Sequence, residues 1–337
     1  MFIGHTQSVL APPNTDVAVG SAFELLLALA GASAAARTTL GPELQEALDA
    51  VGDTAGESWL NLMGISLDLG PPYNATRLGD AVEQMDPVDI RRHLLGGYAW
   101  SWCTLAGTDT IDAAAAGDRA AGRKLLAHER YYAGRARDSL SVLLPLDPAE
   151  TRDRLALALQ VGLRHLIEPR DDLPAALDAA ADAASSALAE GTLADAIEHV
   201  TEGYGYVPEP EAERVLLIPH VQPEPWLVLA QHRAARLIVY QARAARGAEE
   251  RVAALGRALA DTKRVEILSL VARGVDRVSE LVAQTGLARS TVHHHLAELR
   301  DARLIDLEGN ARAYRYRPRR EALQEAHELL SEVFPRS

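Results

Sequence analysis

The chain has 337 residues, 48% of them hydrophobic and only 5% aromatic, with Ala and Leu dominating. That length can bury a core in two or three domains, and the composition favours helix-rich globular structure over a β-sandwich or a disordered chain. A formal charge of −13 excludes indiscriminate adhesion to nucleic acid over the whole surface, and a single cysteine, Cys103, excludes an intrachain disulfide or a multi-cysteine metal site.

The opening "MFIGHTQSVLAPPNTD" lacks the basic start and long apolar run of a secretory signal. "SAFELLLALAGASAAA" carries Glu24 and is too short and Ala-rich for a membrane span. A cytoplasmic protein without membrane contact is expected. Helical spacing then recurs in "PELQEALDAV", "DPVDIRRHLLGG", "GDRAAGRKLLAHE", "PAETRDRLALALQVGL" and "DLPAALDAAADAASSALAEG". Pro42 suits a first helical turn, and Asp86 before Pro87 reads as a cap. Residues 1–202 are therefore read as a helical regulatory, ligand-binding or dimerisation domain. Within it, Trp100, Trp102, Tyr131 and Tyr132 offer flat faces with polar handles for an apolar pocket and a small organic effector. Ordinary helix packing is the plainer account of any one of these rings.

From Gly203 the texture changes. "YGYVPEP", "ERVLLIPHV" and "PWLVLAQHRAARLIVYQ" are β-prone and broken by proline, which predicts a short antiparallel segment over 203–240 with a turn in "QHRAAR". No GxSxG elbow, P-loop or HExxH is present, and the N-terminal histidines are scattered singly. No enzyme, cofactor or metal is expected. Residues 241–250, "QARAARGAEE", read as a linker.

The block 251–337 differs in charge, with 15 Lys and Arg against 12 Asp and Glu; the rest of the chain has 19 against 35. Its order is two helices meeting near Asp261, a short helix ended by Gly286, the helix "LARSTVHHHLAELRDA", two strands "RLIDLEG" and "RAYRYRP", and a final helix. That is the layout of a winged helix-turn-helix, whose second helix enters the DNA major groove. The expected fold class is thus mainly α with a small antiparallel β segment: an N-terminal helical domain plus a C-terminal winged helix-turn-helix domain.

Advancing about 100° per residue puts Val292, Leu296 and Leu299 within about 60° of one another, which marks the buried stripe. His293, His294 and His295 fan out too widely to share one metal ion, because zinc on a helix needs ligands at i and i+3 or i+4. His295 reads as a boundary residue bonded to backbone. Arg289, Ser290, Thr291, His293 and His294 are left as candidate DNA contacts on the helix. Arg312, Tyr314, Arg315 and Arg317 are the candidates on the wing, where alternate residues share a face. On the last helix Leu323, Ala326, Leu330 and Val333 form an apolar stripe suited to a second copy.

"ALADTKRVEILSLVARG", "VSELVAQTGLARSTVHHHLAELRDARLI" and "EGNARAYRYRP" together resemble the ArsR-type winged-helix transcriptional regulators, over about a fifth of the chain. The resemblance implies a homodimeric repressor on double-stranded DNA that lets go when a signal arrives. Three departures stand out: no cysteine in "VSELVAQ", Arg303 where the family usually has glycine, and Ala288 where a Ser cap is usual.

Overall fold

The computed structural model describes residues 14–31, 40–52, 57–128, 130–131, 135–223, 226–242, 247–310 and 313–334. Two compact units share the chain: one comprises residues 1–186 and 210–241, the other 187–209 and 242–337. The mainly α class read from the sequence holds in both.

In the first unit, helices surround a small four-stranded sheet. They begin with α1 (Ser21–Gly31), α2 (Pro42–Ala50), α3 (Glu57–Asn61), α4 (Met63–Leu69), α5 (Ala75–Gln84) and α6 (Pro87–Leu94). Next come α7 (Trp100–Ala106), α8 (Thr108–Ala115), α9 (Arg119–Ala127), α10 (Arg135–Leu143), α11 (Pro148–Gly162) and α12 (Leu173–Glu190), whose residues from Ala187 on belong to the second unit. Asp86 and Asp147 cap α6 and α11 through their side chains, each followed by a proline in the first turn. α1 is buried along most of its length, so its apolar run is core. Its one acid, Glu24, accepts hydrogen bonds from the Val221 amide (2.8 Å) and the Gln222 side chain (2.7 Å). Burial raises the Glu24 pKa, and those two bonds offset part of the rise.

The sheet runs β1 (Asn14–Val17), β3 (Arg214–His220), β5 (Ala235–Gln241), β4 (Leu227–His232). Only β4–β5 is antiparallel, a hairpin turning at Arg233 and Ala234; β1–β3 and β3–β5 are parallel. This corrects the expectation of a purely antiparallel segment. The reason is visible in "RVLLIP" and "RLIVY", whose continuous burial is that of central strands covered on both faces rather than of half-solvated alternating strands.

The second unit contains α13 (Leu193–Val200), β2 (Tyr204–Tyr206), α14 (Ala248–Leu259), α15 (Thr262–Ala272), α16 (Val278–Thr285), α17 (Arg289–Asp301), β6 (Ile305–Asn310), β7 (Ala313–Pro318) and α18 (Ala322–Val333). Val271, Leu281, Val292, Leu296, Leu299 and Ile305 centre its core. β2, which the sequence groups with the strands after it, pairs parallel with β6, and the sheet order is β2-β6-β7. Gly203 permits that approach. It takes φ +113°, and a Cβ there would meet the Asp306 carboxylate at 2.5 Å.

Candidate nucleic-acid interface

The helix-turn-helix is held by local bonds. The Asp261 side chain accepts from the Arg264 amide (2.9 Å) and caps α15. The Arg264 guanidinium turns back onto the Ala258 and Arg257 carbonyls (2.9 Å each), the end of α14. Gly286 closes α16 in the left-handed conformation at φ +67°, and α17 starts after Ala288. Ala288 supplies no side-chain cap, so the first amides of α17 are left for water or a ligand.

α17 buries Val292, His295, Leu296, Leu299 and Arg300. Arg289, Ser290 and His294 are exposed, while Thr291 and His293 are half-buried. Burial first, then the charge of Arg289, lower the His293 pKa, which favours the neutral ring. His295 is also shifted down, chiefly by burial. Its Nδ1 has no hydrogen-bond partner among the described residues, whereas the sequence reading expected a backbone bond.

On the wing, Arg315 and Arg317 project on one face and converge on Glu308, with Arg315 Nε 3.8 Å from its carboxylate and Arg317 ion-paired to it. Both remain half exposed. Tyr314 lies on the other face beside Tyr316, with ring centroids 6.2 Å apart. Burial pushes the Tyr316 hydroxyl up to about 12. Arg319 does not continue the exposed row: β7 ends at Pro318, and Arg319 turns inward to Asp306 (3.7 Å) and Glu325 (3.0 Å). Arg312 lies outside the described residues. The role of Glu308 escaped the sequence reading. The strand register, which sets Glu308 opposite Arg315, is the signal that identifies it.

In the first unit, Trp102 and Tyr131 meet edge to face at 5.4 Å. Tyr131 is fully buried and donates its hydroxyl to the Leu95 carbonyl (2.7 Å). Trp100 lies elsewhere, under the Arg236 guanidinium at 5.0 Å. Tyr132 lies outside the described residues. A second polar cluster in this unit gave no sequence signal. Asp68 bonds His232 Nε2 (2.8 Å) and receives a two-pronged contact from Arg233 (2.9 and 2.8 Å), with His93 stacked on His232 at 5.6 Å. Among the described residues no group of three or more His, Cys, Asp or Glu side chains could hold a metal ion, and no helix is long and apolar enough to cross a membrane.

Residues 261–306 match the family described as bacterial regulatory protein, arsR family. Over 79 residues the chain is 40% identical to the HTH-type transcriptional regulator CmtR of Mycobacterium bovis (strain ATCC BAA-935 / AF2122/97). The same identity holds for the protein of that name in Mycobacterium tuberculosis, strains CDC 1551 / Oshkosh and ATCC 25618 / H37Rv. The match covers 23% of this chain and 63% of those proteins, so the chain spans less than two thirds of the relatives' length. No solved structure matches the chain. The C-terminal unit thus carries an ArsR-type winged helix-turn-helix: its family match covers α15, α16 and α17, and its fold adds the wing.

Proposed function

We propose that the chain is a cytoplasmic, sequence-specific DNA-binding transcriptional regulator, a repressor, that acts as a homodimer. The observation that carries this reading is the exposed polar start of α17, with uncapped amides, inside the segment 261–306 that matches the arsR family, in the same unit as a wing strand that carries Arg315 and Arg317 on one face. α17 lies in the major groove with Arg289, Ser290, Thr291, His293 and His294 toward bases and phosphates. Arg315 and Arg317 take the backbone, and Arg312 and Tyr314 are further proposed contacts of the wing.

A second copy has a seat on α18, where Leu323 is 85% exposed and Phe334 66%. Large apolar side chains this exposed on one helix are costly to solvate. In a twofold dimer of this class two recognition helices lie about 34 Å apart, one turn of DNA. In the same reading the first unit sets that spacing, either as dimer scaffold or as receiver of a small organic molecule near the Trp102–Tyr131 pair.

The test is selection of bound sequences from random DNA with the purified chain at stated salt, followed by affinity against salt. The expected result is a recurrent two-half-site sequence. Arg315→Ala with Arg317→Ala should weaken binding to all DNA and flatten the slope of log K against log salt by about 1.8, roughly 0.9 per lost phosphate contact. An unchanged slope removes the wing from the interface, and failure to enrich any sequence removes the function.

A further inference from the structure

The wing carries an acid among its cations. Glu308 lies on β6, the middle strand of the β2-β6-β7 sheet, opposite Arg315 on β7 and Gly205 on β2. It shares a face with the two arginines proposed to meet phosphate. A carboxylate close to phosphate oxygens repels them, so attraction for DNA does not explain its presence there.

Its partners set this contact apart from an ordinary ion pair on an edge strand. Arg317 stands opposite Asp306, yet it is ion-paired to Glu308, which it reaches along the diagonal between the strands. Asp306 is engaged instead by Arg319, whose side chain is 16% exposed and which also reaches Glu325 at 3.0 Å. The two acids of this face are thus divided. Asp306 faces a cation folded into the unit, whereas Glu308 gathers two cations whose side chains are each 51% exposed. From β2 comes no competitor, because the residue beside Glu308 on that strand is a glycine.

The point of attachment matters as well. Both arginines come nearest to Glu308 Oε2 through Nε, Arg315 at 3.8 Å and Arg317 in direct contact. Apart from Glu308, neither guanidinium has an ion-pair or hydrogen-bond partner among the described residues. A guanidinium held at Nε keeps its end-on pair of terminal nitrogens for a second oxyanion.

We propose that Glu308 is a specificity-determining residue of the wing: it screens Arg315 and Arg317 against phosphates met at random and holds their terminal nitrogens where a correctly docked duplex places its phosphates. Attraction for a randomly placed duplex follows net charge, and Glu308 removes one charge from this face. Contact in a fixed register depends on where the donors stand, and the hold on Nε sets that. An acid that weakens unaligned encounters more than the aligned one raises the ratio between them without touching a base. The inference rests on the operator-binding reading of α17 and the wing, whose arginines it refines.

The test compares the affinity of the full chain for its selected sequence and for a random duplex of equal length, over a range of salt. Glu308→Gln keeps the shape and removes the charge. It should raise random-duplex affinity on the order of tenfold, steepen that salt slope by at most about 0.9, and raise selected-sequence affinity much less, so that the ratio falls. Glu308→Asp keeps the charge and withdraws it by one methylene. Its random-duplex affinity should match wild type, while its selected-sequence affinity falls severalfold. In a chain that also carries Arg315→Ala and Arg317→Ala, Glu308→Asp should cost nothing further, because the acid's hold acts through those side chains. Circular dichroism of each variant checks that the fold is kept. A selected-to-random ratio that is unchanged or higher in Glu308→Gln overturns the screening role. Wild-type affinity of Glu308→Asp for the selected sequence, or an equal loss once the arginines are gone, overturns the holding role. If the chain selects no sequence, the operator reading fails and takes this inference with it; if it selects one and the ratio stays fixed, only this inference fails.

Discussion

At the scale of single residues, α17 follows the three-histidine puzzle to its answer. His294 faces out, His293 is half covered and His295 sits in the core, so one run of identical side chains serves three environments because each step turns about 100°. The start of the same helix carries a testable defect. Ala288 occupies the cap position with extended backbone (φ −61°, ψ 146°) but has no oxygen to offer the free amides. Ala288→Ser should raise the stability of the full chain by about 0.5–1 kcal/mol, read as a shift in denaturant midpoint. If those amides also hold a DNA phosphate, the new hydroxyl competes with it and affinity falls. A variant of unchanged stability would mean that the cap geometry is absent. Ala288 and Arg303 were both visible as departures from the expected motif. That Arg303 accepts the left-handed turn, at φ +56°, could be learned only from the fold.

Among the elements, β2 is the one that changes the architecture. A two-stranded wing has two free edges; here Tyr204–Tyr206 covers one of them, bonded through Leu307 N–H to the Gly203 carbonyl (3.0 Å) and Val207 N–H to the Gly309 carbonyl (2.9 Å). The Tyr204 hydroxyl also donates to Gly309 (2.8 Å). Three residues with two glycines nearby are too short and too weakly patterned for a strand reading to assign a partner a hundred residues away. Gly203→Val should break this pairing twice over, by forbidding φ +113° and by driving a methyl-bearing carbon into Asp306, at a cost of about 1–3 kcal/mol. The Leu307 amide should then exchange its hydrogen much faster. Protection equal to wild type would show that the strand does not depend on that glycine.

For the whole molecule, acidity and basicity are partitioned. The block 251–337 carries the net positive charge and the remainder the negative one, which confines attraction for a polyanion to one unit. The first unit should also respond to acid. There, burial and then the charge of His232 push the His93 imidazole down to about 3, and burial lowers His232 as well. Burial would raise Asp68, but the bonds from Arg233 and His232 win and hold it at about 2. An unfolded histidine takes its proton near pH 6.5. Below that pH the unfolded chain binds more protons than the folded one, so stability falls as pH drops from about 6.5 toward 3, by at most about 1.4 kcal/mol per unit for each such histidine. Asp68 adds a further loss as pH falls below about 3.8, the usual carboxylate value. Trp59, Trp100, Trp102 and Trp226, the four tryptophans of the chain, all belong to this unit, so their fluorescence reports its unfolding. The denaturant midpoint should be level above pH 7 and decline below 6.5, and His93→Phe should make the decline shallower. An identical decline in that variant would clear His93 of the effect.

The order of C-terminal elements, the buried stripe of α17 and the facing of Arg315 and Arg317 were legible from the chain alone, because each depends on a local period of 3.6 or 2 residues. The Asp68 cluster, the parallel pairing of β1, β3 and β5, and the strand added to the wing were not. Each depends on segments far apart in sequence coming together, and such meetings are decided by how whole helices and strands bury their apolar faces. Local periodicity determined which side of each element looks inward; only the packed structure decided what it meets there.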